Sequence, residues 1–157
     1  MSLIVKKPES QNNMIDWWKK VVLENYANFS GRARRSEYWY FSLLNIIIAV
    51  PLIILFITFS ESGGNSDIIS TIFMFLLIAM VLLLLIPGLA VSVRRLHDTG
   101  KSGWWYLIGV IPIVSYVGNI VLLVFYCMDS EPGSNKWGPN PKMPHEDEID
   151  QIGQNQL

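Results

Sequence analysis

The chain has 157 residues, 51% of them hydrophobic and only 16% charged, against about 25% charged in ordinary soluble domains. A formal net charge of -1 supplies no global field for nucleic acid, so no nucleic-acid partner is expected. The single cysteine, Cys127, excludes an internal disulfide and any Cys-based metal set; lying in an apolar run, it reads as a small buried hydrophobe.

The charges are segregated. Ten of the twelve Lys and Arg fall in 1–37 and 94–103, and six of the thirteen acids fall in 129–157. Residues 1–13 are polar, with Lys6, Lys7 and Pro8, and read as a flexible N-terminus. No cleavable signal peptide is evident: the first apolar run begins near residue 38, after a long charged stretch, and reads as a retained anchor.

Residues 14–29 have helical periodicity. Met14, Trp17, Trp18, Val21, Val22, Tyr26 and Phe29 share one face, with Asp16, Lys19, Lys20 and Glu24 opposite. Asn13 and Asp16 have capping-box spacing, and Gly31 follows as a C′ glycine would. The pattern predicts an amphipathic helix in the headgroup plane, with Trp17 and Trp18 turned toward the acyl chains. The alternative is a helix packed on the protein's own core.

Arg32, Arg34 and Arg35 stand immediately before the first long apolar run, with Glu37 one helical turn after Arg34. Tyr38, Trp39 and Tyr40 form an interface anchor. Residues 38–59 contain no charge over 22 positions, about 33 Å of helix against about 30 Å of hydrocarbon. Pro51 is expected to kink this span. Residues 60–67 form a turn-rich loop without Lys or Arg. Residues 68–93 make a second span, with Pro87-Gly88 bending it or marking its exit. A basic loop, 94–103, follows, and 104–128 is expected to cross once as a kinked third span opening on Trp104 and Trp105. A re-entrant turn at Pro112 is the alternative there. Residues 129–142 suggest successive turns, and 143–157 a disordered acidic tail.

The whole reads as an all-α membrane protein: an N-terminal interfacial helix, three transmembrane helices and an irregular C-terminal tail, with 14–142 as the membrane domain. The positive-inside rule puts Lys19, Lys20, Arg32, Arg34, Arg35, Arg94, Arg95 and Lys101 in the cytoplasm and only Lys136 and Lys142 outside. Three crossings then carry the C-terminus to the periplasmic side.

The candidate chemistry is sparse. Gly100-Lys101-Ser102 resembles the end of a phosphate-binding loop but lacks the earlier glycine, Arg95 standing there. His97-Asp98 could be a base with its orienting carboxylate, yet adjacent helical residues do not face each other, and the other histidine, His145, lies in the tail. Neither a catalytic nor a metal site is read, and no cofactor. Arg32, Arg34, Arg35, Arg94, Arg95 and Lys101 form a basic belt that sets topology or holds an anionic lipid headgroup or a partner. The expected spans carry no Asp, Glu, Lys, Arg or His, which disfavours proton- or ion-coupled transport.

Three blocks, Phe29 to Trp39, Arg94 to Trp105 and Gly133 to Pro141, together with the opening Trp17-Trp18, resemble the domain-of-unknown-function 805 family, the YhaH-like small inner-membrane proteins of bacteria. The resemblance covers about residues 14–142 with the blocks in order. Trp137 stands where Tyr or Phe is common in the family, and Asn140 where Asp is common. The resemblance implies a bacterial inner-membrane protein and supplies no activity. It makes Arg32, Arg35, Glu37, Arg94, Arg95, His97 and Asp98 the residues to test. The functional expectation is a non-enzymatic membrane component that binds anionic lipid, a membrane-protein partner or a second copy of itself through the belt. The alternatives are a small channel or transporter subunit, suggested by Pro51, Pro87 and Pro112, and a lipid-headgroup enzyme using His97 and Asp98.

Overall fold

A computed structural model describes residues 12–61 and 66–143. Most of the expected flexible N-terminus, the middle of the 60–67 loop, and the acidic tail with His145 lie outside the described residues. Within them the chain is helical, with one isolated bridge, Asn135 to Gly138.

Two helices are long and apolar enough to cross a membrane: α2, Arg35–Ser60, and α3, Ser66–Asp98. At 26 and 33 residues they are about 39 and 50 Å long. Only 6% of the most apolar stretch of either is buried within the protein. A core helix of a soluble protein would be covered; here Ile46, Ile54, Phe75, Leu82 and their neighbours are exposed, and lipid is the medium that suits them.

Pro87 lies within α3, which runs on to Asp98. A proline has no amide hydrogen, so the carbonyl four residues earlier, Leu83 O, loses its helical partner. The Tyr26 hydroxyl donates to that oxygen at 2.7 Å, the kind of substitute donor a proline in a spanning helix requires.

The N-terminal helix, α1 (Met14–Lys19), begins at the expected cap, where the Asn13 amide donates to Asp16 Oδ2 at 3.0 Å. It widens into a π turn over Lys20–Glu24 and stops there, short of Phe29. Gly31 therefore does not cap it; its φ of +82° turns the chain into Arg32. The face expected to meet acyl chains packs on the protein instead. Trp17 is only 3% exposed, Val21 is enclosed with Ala33, Phe41 and Val91, and Trp18 Nε1 donates to Asn45 Oδ1 at 3.0 Å. The core-packed alternative is the observed one, because this helix supplies apolar cover and a hydrogen bond to α2, and Tyr26 just beyond it supplies the donor that α3 needs.

The expected third crossing is also corrected. Residues 104–128 are two pieces: a 3-10 helix, Gly103–Gly109, and α4, Ser115–Cys127, joined by a turn in which Ile113 adopts φ +70°. Thirteen residues of helix reach about 20 Å, too little for hydrocarbon about 30 Å thick. The pieces fold back on each other through glycine. A methyl group at Gly118 would collide with the Ile108 carbonyl oxygen, and one at Gly109 would come within 2.7 Å of Leu122 Cδ1. The hairpin returns the chain to the end of α3 that it left, so 129–143 pack on the arginine-bearing end and not at the opposite one. Cys127, at the tip of α4, is exposed, contrary to the buried reading.

Candidate functional site

The end of α3 is built around charge. Its last turn carries Arg95 and His97, just after Arg94, which suits the negative pole of the helix. It closes in a Schellman cap: Gly100 N donates to His97 O at 3.1 Å, Lys101 N donates to Leu96 O at 3.0 Å, and Gly100 has φ +75°. The apparent phosphate loop at Gly100-Lys101-Ser102 is thus a helix stop. Lys101 Nζ donates to Thr99 O at 3.3 Å and lies 4.6 Å from the Phe125 ring centre.

Asp98 is fully buried and carries the centre. Arg32 Nε donates to Asp98 Oδ1 at 3.0 Å; Arg95 Nη1 and the Ser130 hydroxyl, at 2.6 Å, both donate to Oδ2. Two buried guanidiniums therefore share one carboxylate. The excess positive charge is met by backbone carbonyls of the returning chain. Arg32 Nη1 donates to Gly133 O at 2.8 Å, and Arg95 donates to Tyr126 O at 3.2 Å and to Met128 O. Arg34 donates to Pro141 O at 2.7 Å, and the Glu131 amide donates to Asp98 O at 2.8 Å. The 129–141 segment has no regular ladder to satisfy its carbonyls, so arginine forks perform that task.

A second charged centre joins α1, α2 and α3. Glu37, also fully buried, is paired with Arg94 Nη1 at 2.6 Å and with Lys20 Nζ at 3.2 Å. Arg94 O accepts from Ala33 N at 3.0 Å. Arg35 sits apart at the rim, its side chain 43% exposed, paired with Asp129 at 3.2 Å. Lys142 reaches the same carboxylate. Together with the Ser130 amide, and chiefly through Lys142, these groups hold the Asp129 carboxyl below the usual carboxylate range.

His97 and Asp98 do not form a dyad. His97 Nδ1 faces Gly31 O at 3.2 Å, so that nitrogen carries the hydrogen, and the ring stacks on Trp137 with centres 4.4 Å apart and an 11° tilt. Asp98 is committed to the arginines. Among the described residues no three His, Cys, Asp or Glu side chains converge as a metal set.

Below the His97–Trp137 plate lies a groove of about 570 Å³. Its walls are largely apolar, with Leu89 and Val93 of α3, Leu107, Trp104 and Phe29; Ser102, His97 and Tyr106 add polar atoms. Lys136 Nζ stands 4.2 Å from the ring centre of Trp137, a residue of the groove wall. Of the expected interface anchors, Trp39, Trp104 and Trp105 are exposed, whereas Trp17 and Trp18 are held inside the fold.

The belt is therefore gathered at one end, as the sequence suggested, but Arg32, Arg94 and Arg95 point into protein. Sequence reasoning missed Ser130 and the carbonyls of 128–141 as their partners. The signal available was the density of Gly, Pro and Asn in that stretch, which leaves many carbonyls to be satisfied by side chains.

The family described as a protein of unknown function, DUF805, matches residues 26–139. The inner membrane protein YhaH of Escherichia coli K12 is 42% identical over 131 residues, covering 82% of this chain and 98% of YhaH. The inner membrane protein YhaI of the same strain is 39% identical over 125 residues, covering 80% of this chain and 95% of YhaI. The uncharacterized protein YiiR is 32% identical over 97 residues, 61% of this chain and 58% of its own. No solved structure matches.

Proposed function

Since the chain belongs to the DUF805 family of proteins of unknown function, we propose that it is a non-enzymatic component of the bacterial inner membrane that holds an anionic phospholipid. An acyl chain lies in the groove beneath His97 and Trp137, and the headgroup sits beside Lys136 and Ser102. The arginine clusters act as the rigid frame of that groove. The observation that carries this reading is the groove itself: about 570 Å³ of largely apolar wall that includes Trp137, against whose ring the Lys136 ammonium stands. Basic pockets between helices at the cytoplasmic face suit anionic headgroups.

The same reading sets the orientation. With 129–143 returned to the arginine-bearing end, Lys19, Lys20, Arg32, Arg34, Arg35, Arg94, Arg95, Lys101, Lys136 and Lys142 fall on one side. The 61–67 connection carries none. The positive-inside rule makes the arginine-bearing end cytoplasmic, so the segment up to Met143 is cytoplasmic and not periplasmic.

Native mass spectrometry of the full chain, extracted gently from its own membrane, tests the lipid. Wild type should retain phosphatidylglycerol-class lipid. Val93→Trp, which fills the groove, should lose it. Lys136→Glu should keep a lipid but lose the preference for anionic over zwitterionic headgroups. Equal retention by all three chains would end the proposal.

A further inference from the structure

A second cavity, of about 290 Å³, lies on the other side of Tyr106, where the re-entrant hairpin meets α2 and α3. Its chemistry differs from that of the groove. Tyr38, Tyr106 and Tyr126 supply aromatic walls, Asn119 and Ser92 supply polar atoms, and no charged side chain lines it. Tyr38 and Tyr126 lie with ring centres 4.4 Å apart at 34°.

The Tyr126 hydroxyl is the anomaly. Tyr126 is only 6% exposed, and its oxygen makes no well-formed hydrogen bond among the described residues. Ser92 lines the same cavity, and its own proton goes to Gly88 O at 2.7 Å, so it donates nothing to Tyr126. A buried hydroxyl without a partner is unfavourable, and more so where lipid replaces water. Asn119 is the second polar group, an exposed amide on a hairpin whose outward residues are mostly apolar, among them Val110, Ile111, Val117, Ile120 and Leu123. Val110 and Leu123 stand at the cavity and are themselves exposed, so the opening faces the lipid phase.

We propose that this cavity binds the carbonyl-bearing ring of a lipid-soluble quinone, with the Tyr126 hydroxyl and the Asn119 amide as its hydrogen-bond donors. Each feature selects for that class. The lack of charge selects a neutral ligand, the tyrosine walls select a planar ring, and the two donors select carbonyl oxygens. The apolar mouth selects a molecule that arrives through the membrane on a greasy tail. The volume is ample, since an engineered cavity of about 150 Å³ already admits benzene. Binding alone is proposed, with no electron transfer.

The test uses the purified full chain in nanodiscs of zwitterionic lipid and radiolabelled decylubiquinone as probe, with retention counted against empty nanodiscs. Wild type should bind saturably. Tyr126→Phe, which removes only the hydroxyl, should weaken binding roughly five- to tenfold, as the loss of one hydrogen bond predicts. Leu123→Trp should abolish binding by filling the cavity, whereas Val93→Trp in the other groove should leave it unchanged. Decanol should not compete. Retention no greater than in empty nanodiscs, which would mean a water-filled cavity, would overturn the proposal. So would binding indifferent to Tyr126→Phe, or displacement by decanol at equal concentration, which would mark a site for chains and not rings. Should Leu123→Trp fail to fold, Tyr126→Phe still decides, because it leaves no polar group behind.

Discussion

Neutralising Asp98 is the sharpest perturbation of this molecule. The Asp98 carboxylate is fully buried and is the anionic partner of Arg32 and Arg95, whose side chains are 1% and 0% exposed. Asp98→Asn keeps the shape and one acceptor but removes the charge, leaving two guanidiniums in low dielectric with only carbonyls and the amide oxygen around them. Breaking a buried pair in this way costs about 3–5 kcal/mol, a large share of the 5–15 kcal/mol that holds a typical domain together. The loss should also be local in onset. Arg32, Arg95 and Asp98 together hold Tyr126, Met128, Glu131, Ser130 and Gly133, so 129–143 should detach before α2 and α3 separate. Limited proteolysis in detergent micelles, followed by mass, should show new cleavage within 129–143 of Asp98→Asn under conditions where wild type is intact. Adding Arg32→Gln to Asp98→Asn removes one of the stranded charges, so the double variant should be destabilised by less than the sum of the singles. A cost for Asp98→Asn below about 1 kcal/mol, the scale of an exposed pair, would refute the closed-cluster reasoning.

Position within the same belt should decide the cost of losing an arginine. Arg95→Ala should lower the melting temperature strongly, by the equivalent of about 3–5 kcal/mol, and Arg35→Ala by no more than about 1 kcal/mol; similar shifts would contradict the burial argument. Tyr26→Phe should cost about 0.5–1.5 kcal/mol by stranding Leu83 O. In a Pro87→Ala background, where residue 87 regains an amide for that carbonyl, the same change should cost little. Equal costs in the two backgrounds would mean that the hydroxyl is not the substitute donor. In a Cys127→Ser background, cysteine introduced at Ser134 should be protected from an impermeant maleimide in intact cells and one at Glu61 labelled; the reverse pattern would sink the two-crossing orientation. Asp129 is a carboxyl with a lowered pKa, so its contribution is present above the ordinary carboxylate value and is lost as pH falls through the lowered one. The stability difference between wild type and Asp129→Asn should accordingly hold steady from pH 7 to about 5 and fade only below about 4. A difference that fades near pH 6 would point to another group.

The two long helices were legible because each is a long uncharged run and no pair of close-packed glycines folds either of them back on itself. Residues 104–128 have the same composition and a different outcome. What separates them is steric: Gly118 and Gly109 let two short segments approach at backbone distance, and Pro112 with Ile113 turns the chain between them. The glycines and Pro112 were visible, but composition cannot say whether such residues relieve a kink within one helix or seat one segment against another. That depends on which residue stands opposite, here Ile108 against Gly118. The N-terminal helix failed for a related reason. Its periodicity holds over Met14–Glu24 and not on to Phe29, and an apolar face is equally suited to acyl chains and to a neighbouring helix. The deciding groups, Asn45 and the carbonyl exposed by Pro87, lie far along the chain.

The same ambiguity governed the arginines. A basic run beside a span has two physical outcomes: exposed heads that meet lipid phosphate, or buried heads that need internal counter-charge. Burial requires acids at reachable positions, and the sequence supplied two, Glu37 and Asp98, inside the very blocks that carried the arginines. Neither is surplus once the heads are buried, because Glu37 pairs with Arg94 and Lys20 while Asp98 pairs with Arg32 and Arg95. Each acid still leaves one positive charge in excess, and at the Asp98 centre that excess draws the carbonyls of 126–141 around it. A segment with few apolar residues and no ladder of its own is thereby ordered by arginine forks. The groove under His97 and Trp137 exists only because that segment is held down: Trp137 roofs it from 129–141, and His97 keeps its place through the Gly31 carbonyl next to Arg32. On this logic the belt acts on any bound lipid indirectly. Loss of Asp98 should empty the groove even though Asp98 touches nothing inside it.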